Sequence, residues 1–104
     1  LIESLLQELN VSYVKQKRFN GCRHKRALPF DFYLPDHNLC IEYHGEQHYR
    51  AIDIFGGMAA LIDRQERDEI KEKFCKDNLI DLAIIPFCKT VDQVKITLRD
   101  LLAL

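Results

Sequence analysis

The chain has 104 residues, of which 47% are hydrophobic and 30% are charged, and its formal net charge is −1. This size and balance fit a single globular domain, residues 1–104, with a modest core. The sequence has no apolar run of about 18 residues and no basic segment leading into an apolar one, so it predicts neither a membrane span nor a signal peptide. We therefore expect a cytoplasmic protein that does not bind membranes.

The cysteines are widely spaced and form no CxxC pair, which argues against a zinc knuckle. Two of them lie inside apolar segments, as small core residues do. We expect reduced thiols rather than disulfides. The four positions are Cys22, Cys40, Cys75 and Cys88.

The first half of the chain predicts one helix and three strands. LIESLLQEL has helical apolar spacing, but neither a methionine nor a capping residue precedes it, so we expect a truncated helix in a fragment of a longer polypeptide. VSYVKQKRF alternates apolar and polar residues and predicts an edge strand, followed by NGCRHKR as a loop. LPFDFYL and LCIEYHG are predicted to pair as an antiparallel hairpin around the turn residues PDHN.

In the second half, IFGG is predicted to break the chain before the helix MAALIDRQERDEIKEKFCKDN. LIDLAIIPF predicts a central buried strand, and VDQVKITLRDLLAL a final helix. The expected order is αβββαβα, an α/β fold of the α+β mixed-sheet type with helices flanking the sheet. The apolar face of the final helix is predicted to hold Val91, Val94, Ile96 or Leu98, and Leu101.

The basic residues of the first half are concentrated in one segment, because no acid lies between Glu8 and Asp31. A localised basic patch is typical of phosphate contacts with nucleic acid, although a solvated strand and loop would look the same. The predicted DNA contacts are Lys15, Lys17, Arg18, Arg23, Lys25 and Arg26.

The predicted hairpin also brings carboxylates together. Glu42 and His44 lie two residues apart and share a face of their strand, and pairing across PDHN would bring Asp31 to that face. Two carboxylates about 4 Å apart repel by roughly 1 kcal/mol in water and roughly 4 kcal/mol at an effective dielectric of about 20. A cation between them reverses that cost, and Mg²⁺ prefers carboxylate oxygens while keeping positions open for phosphate. We therefore predict Mg²⁺, or Mn²⁺, held by Asp31 and Glu42.

An acid pair beside a basic segment predicts metal-assisted phosphodiester hydrolysis, with His44 and His48 as proton-transfer groups or phosphate donors. A structural interpretation stays open, in which Asp31 ends a strand, Glu42 pairs with a surface lysine and His48 is a loop histidine. A zinc site of His44 and His48 is a weaker alternative, because histidines four residues apart suit a helix and GEQHY follows a strand.

The passage LPFDFYLPDHNLCIEYHGEQHYR closely resembles the core of the Vsr-like (very-short-patch-repair-like) branch of the PD-(D/E)xK nuclease superfamily, in particular phage homing endonucleases of the EDxHD type. The resemblance runs from Leu5 through RQERDEIKEKFC to LAIIPF, in the same order. It implies a restriction-endonuclease-like fold and Mg²⁺-dependent cleavage of double-stranded DNA. An additional DNA-recognition domain is expected in the full-length chain.

The resemblance also implies roles for single residues. Asp31 matches the metal-binding aspartate, Glu42 the acid preceding the usual lysine position, and His44 stands at that lysine position. His48 matches the histidine just after the turn, and Asp68 the acid on the following helix. The implied catalytic residues are Asp31, Glu42, His44, His48 and Asp68.

Two departures from the family pattern matter. The family's first-helix glutamate aligns just before residue 1. Either this glutamate lies upstream of the sequence, or Glu3 replaces it from a position one helical step away. No lysine stands at position 44 to assist a water molecule. Two alternatives to a DNA endonuclease therefore stay open: a non-catalytic DNA-binding module with a degenerate nuclease fold, and a nuclease directed at structured RNA.

Overall fold

The computed structural model describes residues 1–52 and 56–103. Within these ranges, three helices and four strands follow one another in the predicted order. The strands form one mixed sheet, β1-β2-β3-β4, in which β1, β2 and β3 are antiparallel neighbours and β3 and β4 are parallel. The α+β mixed-sheet prediction is confirmed. The elements are α1 (Ile2–Glu8), β1 (Val14–His24), β2 (Arg26–Leu34), β3 (Leu39–His44), α2 (Gly57–Asp77), β4 (Asp81–Pro86) and α3 (Val91–Leu102).

The hairpin of β2 and β3 forms as the turn residues predict. Pro35 opens a short 3₁₀ turn that ends at Asn38, whose φ of 48° is left-handed. Asparagine tolerates this conformation better than most residues, and here its Oδ1 accepts a hydrogen bond of 2.8 Å from the Tyr33 hydroxyl. The turn fixes which residues of the two strands face each other.

The two faces of the sheet pack against different helices. One face packs with α1 and α3 around a cluster that includes Leu6, Ile41 and Leu98. The other packs with α2 around a smaller cluster that includes Phe30 and Cys40. Because side chains alternate along β3, its even-numbered positions point toward α2. The buried polar residues of β3 therefore lie under α2.

Strand β1 is longer than predicted, and the prediction of a loop at NGCRHKR is wrong. The strand continues to His24, and Lys25, with φ of 69°, makes a tight turn into β2. A register shift between Arg18 and Arg23 lets Cys22 point into the core, where it is fully buried. Such a bulge breaks the alternation from which strands are recognised in a sequence.

Strand β4 is an edge strand, so its predicted central position is wrong. Within the described ranges of the chain it pairs only with β3, and Ile84 is 36% exposed while Ile85 is buried. An apolar run indicates burial of the strand's faces, but it does not reveal how many neighbours the strand has.

The final helix begins with a capping box, in which the Thr90 hydroxyl accepts from the Gln93 N–H and the Gln93 side chain accepts from the Thr90 N–H. Its buried residues are Val94, Leu98 and Leu102. Val94 is as predicted, and of the alternatives Ile96 and Leu98 it is Leu98 that is buried. The predictions for Val91 and Leu101 are wrong, because both are exposed.

Two further predictions concern the chain break before α2 and the absence of disulfides. The predicted break at IFGG includes residues 54 and 55, which lie outside the described residues; Gly56, with φ of 96°, precedes α2 in a left-handed conformation. The four cysteines are free, three of them buried and Cys88 exposed. No helix in the described ranges is long and apolar enough to cross a membrane.

Candidate active site

The β2–β3 hairpin brings the two predicted carboxyl groups together. Phe32 lies opposite Ile41, and one further step of this antiparallel register places Asp31 opposite Glu42. Asp31 Oδ2 accepts a hydrogen bond of 2.7 Å from the Tyr43 backbone N–H. The two carboxyl groups are close enough that Asp31 raises the pKa of Glu42. The acid pair therefore results directly from the hairpin register.

Glu42 is a buried acid, with only 4% of its surface exposed. Burial raises the pKa of its carboxyl from 4.5 to about 8, the Lys71 ammonium acts in the opposite direction, and the Asp31 carboxyl adds to the increase. At neutral pH the acid pair consequently retains a proton. A divalent cation in place of that proton would stabilise both carboxylates in their charged form.

Lys71 completes this centre, and sequence reasoning missed it as a site residue. Its Nζ donates to Glu42 Oε1 at 2.5 Å and lies 5.3 Å from the centroid of the Phe30 ring. Helical spacing contained a signal, because Lys71 is three residues after Asp68 and four before the buried Cys75, all on one side of α2. A lysine thus lies beside Glu42, although position 44 holds a histidine.

Two histidines share one carboxylate beside the acid pair. His48 Nδ1 lies 3.0 Å from Asp68 Oδ2, and His44 Nε2 lies 3.7 Å from Asp68 Oδ1. The two imidazole rings stack with centroids 4.1 Å apart and an interplanar angle of 6°. Burial lowers the pKa of His44; Asp68 opposes this effect, and His48 and Lys71 lower the pKa further. His44 is therefore neutral at neutral pH.

Donor atoms of His44, His48 and Asp68 all lie within 4.8 Å of one another, close enough to hold a metal ion. The sequence assigned the metal to Asp31 and Glu42 instead, so the site contains an oxygen donor pair and a nitrogen-rich donor group. Oxygen ligands suit Mg²⁺, whereas imidazole suits zinc and other transition metals. Asp68 also orients both rings without any metal, as a carboxylate partner of catalytic histidines does.

Glu3 lies away from these groups. It accepts hydrogen bonds from the Tyr13 hydroxyl at 2.9 Å and from Lys15 Nζ at 3.4 Å. With Tyr43, whose side chain is on the opposite face of β3 from Glu42 and His44, it lines a cavity of about 490 Å³. Among the described residues, Glu3 is thus placed with β1 rather than with the acid pair.

The six predicted DNA contacts have different surroundings. Lys15 pairs with Glu3, and Lys17 Nζ lies 5.3 Å from the Phe19 ring centroid. Three others of the six predicted residues line a separate cavity of about 460 Å³. Arg23 is exposed on β1, and it is not among the described residues that line this cavity. The members that share this cavity are Arg18, Lys25 and Arg26.

Comparison with known proteins finds no matching family model and no matching solved structure. The chain is similar to uncharacterized protein 094L of Frog virus 3 (isolate Goorha), at 36% identity over 96 residues, 83% of this chain and 61% of that protein. It is 39% identical over 76 residues to uncharacterized protein 307L of Invertebrate iridescent virus 6, 72% of this chain and 39% of that protein. The chain thus spans less than two thirds of the length of either relative.

Proposed function

We propose that this chain is the catalytic domain of a Mg²⁺-dependent DNA endonuclease that hydrolyses phosphodiester bonds. The observation that carries the proposal is the placement of Asp31 opposite the buried Glu42, beside Lys71, since a fold gains no stability from two adjacent acids. The histidine pair and a basic cavity add the proton-transfer and phosphate-binding groups that this reaction requires. A restriction-endonuclease-like core is the fold that the sequence resemblance implies for this site.

The donor set fits a hard divalent cation. Asp31 and Glu42 supply carboxylate oxygens, and burial raises the pKa of Glu42 although the Lys71 ammonium acts in the opposite direction. These two residues would hold Mg²⁺ or Mn²⁺, which when bound neutralises phosphate charge and lowers the pKa of a coordinated water molecule. The nitrogen-rich group of His44, His48 and Asp68 is left for proton transfer.

The chain's own residues divide the remaining work. His48 has its Nδ1 held by Asp68, so its Nε2 is the atom that exchanges a proton with the water or the leaving oxygen. His44 is buried and stacked on His48, and so fixes the orientation of that ring. Lys71 is 13% exposed and places a positive charge where negative charge develops on the phosphate.

Replacement of Asp31 by Asn tests the proposal. It removes a ligand charge but keeps the shape, so nicking of supercoiled plasmid with Mg²⁺ should be abolished and the rise in melting temperature caused by Mg²⁺ should disappear. DNA affinity in chelator should be kept or increase, because a negative charge is lost. Asp36→Asn is the matched control, because Asp36 is exposed in the hairpin turn.

Equal nicking by wild type and Asp31→Asn would contradict the nuclease proposal. Loss of folding in Asp31→Asn, without any effect of Mg²⁺ on the melting temperature of the wild type, would instead indicate a structural carboxylate. The melting measurement decides the metal question even where cleavage is slow.

The Lys71–Glu42 contact favours a second candidate, a DNA-binding module that needs no metal. Lys71 Nζ lies 2.5 Å from Oε1 of the buried Glu42, and a pairing of Glu42 with a lysine is the structural alternative that the sequence left open. Plasmid nicking that stays absent in Mg²⁺ and Mn²⁺, while DNA binding in chelator is retained, would select this candidate. The assignment to phage homing endonucleases stays a prediction of the resemblance, and the viral origin of the relatives is compatible with it.

A further inference from the structure

A second cavity, separate from the acid pair, concentrates cationic side chains. Its volume is about 460 Å³, and its walls come from β1, the β1–β2 turn, β2 and α2. Arg18 is fixed at its rim, because its guanidinium donates to the Ala27 carbonyl. The basic segment predicted from the sequence did not include the α2 contribution. The cationic or ionisable residues that line the cavity are Arg18, His24, Lys25, Arg26 and Arg67.

Asp63 pairs with two of the residues that line this cavity. Its Oδ1 lies 3.4 Å from His24 Nε2, and its Oδ2 lies 2.9 Å from Arg67 Nε. A carboxylate bound between an imidazole and a guanidinium occupies the position that an oxygen pair of a phosphate would take. Because Asp63 is 45% exposed, solvent screens its contacts with Arg67 and His24, and an incoming anion can compete for these partners.

We propose that this cavity binds a phosphate group and that Asp63 is its internal competitor. Arg67 and Arg26 donate to the phosphate oxygens, and Asp63 releases Arg67 and His24 as the phosphate enters. A cation at the neighbouring donor group of His24, Asp63 and Glu66 is disfavoured, because Arg67 already pairs with Asp63 and three more cations surround the cavity.

The position of the cavity relative to the acid pair suits a DNA strand. Arg26 and Pro29 line the cavity, and Asp31 follows them on β2. At about 3.3 Å per residue this separation is roughly 7–17 Å, which is the axial length of about two to five nucleotides of one strand. The identity of the ligand as DNA rests on the proposed function, whereas the phosphate chemistry of the cavity does not.

The test measures binding of a short duplex DNA in chelator, so its outcome is independent of cleavage. Arg67→Gln and Arg26→Gln should each weaken binding several-fold, and the slope of log affinity against log salt should become about 0.9 units shallower. Asp63→Asn should strengthen binding, because the competing anion is lost. Melting temperatures verify that each variant is folded.

Matched controls lie on the same helix. Lys73 pairs with Asp77 at i,i+4 as Arg67 pairs with Asp63, and Lys73 does not line this cavity as described. Lys73→Gln and Asp77→Asn should leave affinity and slope close to those of the wild type. If Arg67→Gln weakens binding no more than Lys73→Gln, or Asp63→Asn fails to strengthen it, the proposal is wrong.

Two further probes identify the source of the phosphate. Duplexes with and without a 5′-phosphate should bind equally if the cavity accepts an internal phosphodiester. Tighter binding of the 5′-phosphorylated duplex, with competition by inorganic phosphate that Arg67→Gln abolishes, would assign the cavity to a terminal phosphate. Either result supports the phosphate site, and absence of nicking in Mg²⁺ alongside either result would refute only the nuclease.

Discussion

The two faces of the sheet bury different kinds of side chain to a similar extent. Toward α1 and α3, the buried side chains are apolar, as at Leu6, Ile41 and Leu98. Toward α2, the apolar cluster gives way along β3 to Glu42 and His44, which are as inaccessible as the leucines on the other side. Burying ionisable groups costs free energy unless they are paired, whereas burying leucine is favourable. The first face therefore stabilises the fold by burial alone, whereas burial at the second face depends on the partners of its ionisable groups.

The largest expected effect is a loss of stability at the apolar face. Leu98→Ala removes a fully buried side chain, so the free energy of unfolding should fall by about 2–5 kcal/mol. Urea denaturation measures the change. Leu101→Ala, at a 44% exposed position of the same helix, is the control and should cost much less. A larger loss for Leu101→Ala would contradict the assignment of the buried side of α3.

The next effect is a loss of DNA cleavage, with little loss of stability, at the α2 face. His48→Ala removes the proposed proton-transfer group, so plasmid nicking should fall by roughly 10²-fold or more. The melting temperature should change little, because the side chain is 20% exposed and contributes no apolar packing to the core clusters. His37→Ala, in the exposed hairpin turn, is the matched control. An unfolded His48→Ala, with intact cleavage per folded molecule, would make His48 a structural residue.

The smallest effect appears as a dependence of stability on pH. Because burial raises the pKa of Glu42 to about 8, the folded protein binds a proton at this carboxyl that the unfolded chain has lost above its ordinary pKa of 4.5. This contribution to stability is therefore present at low pH and is lost as the pH rises from about 4.5 to about 8. Glu42→Gln should become more stable relative to the wild type across that window, by about 1–3 kcal/mol.

Melting temperatures of both proteins from pH 5 to pH 9 measure this difference. Glu46→Gln, an exchange of a partly exposed acid just after β3, is the control and should follow the wild-type curve. Parallel curves for Glu42→Gln and the wild type would show that Glu42 is ionised in the folded protein throughout.

Short-range patterns predicted the hairpin and therefore the meeting of Asp31 with Glu42, because turn residues and alternation together set the register. Contacts between elements far apart in the sequence were harder to predict. The contact between Lys71 and Glu42 depends on how α2 lies across the sheet, which the spacing within α2 does not specify. The course of the basic segment was not predictable either, because the positive φ at Gln16 and the register shift after Arg18 interrupt the alternation of β1.

The stacking of His44 on His48 makes it unfavourable for both imidazole rings to be protonated at once. Two protonated rings with centroids 4.1 Å apart would repel each other, by about 4 kcal/mol at an effective dielectric of about 20. Asp68 offers a single negative charge to both rings. A proton on one ring therefore disfavours a proton on the other, and a single carboxylate does not offset two such charges.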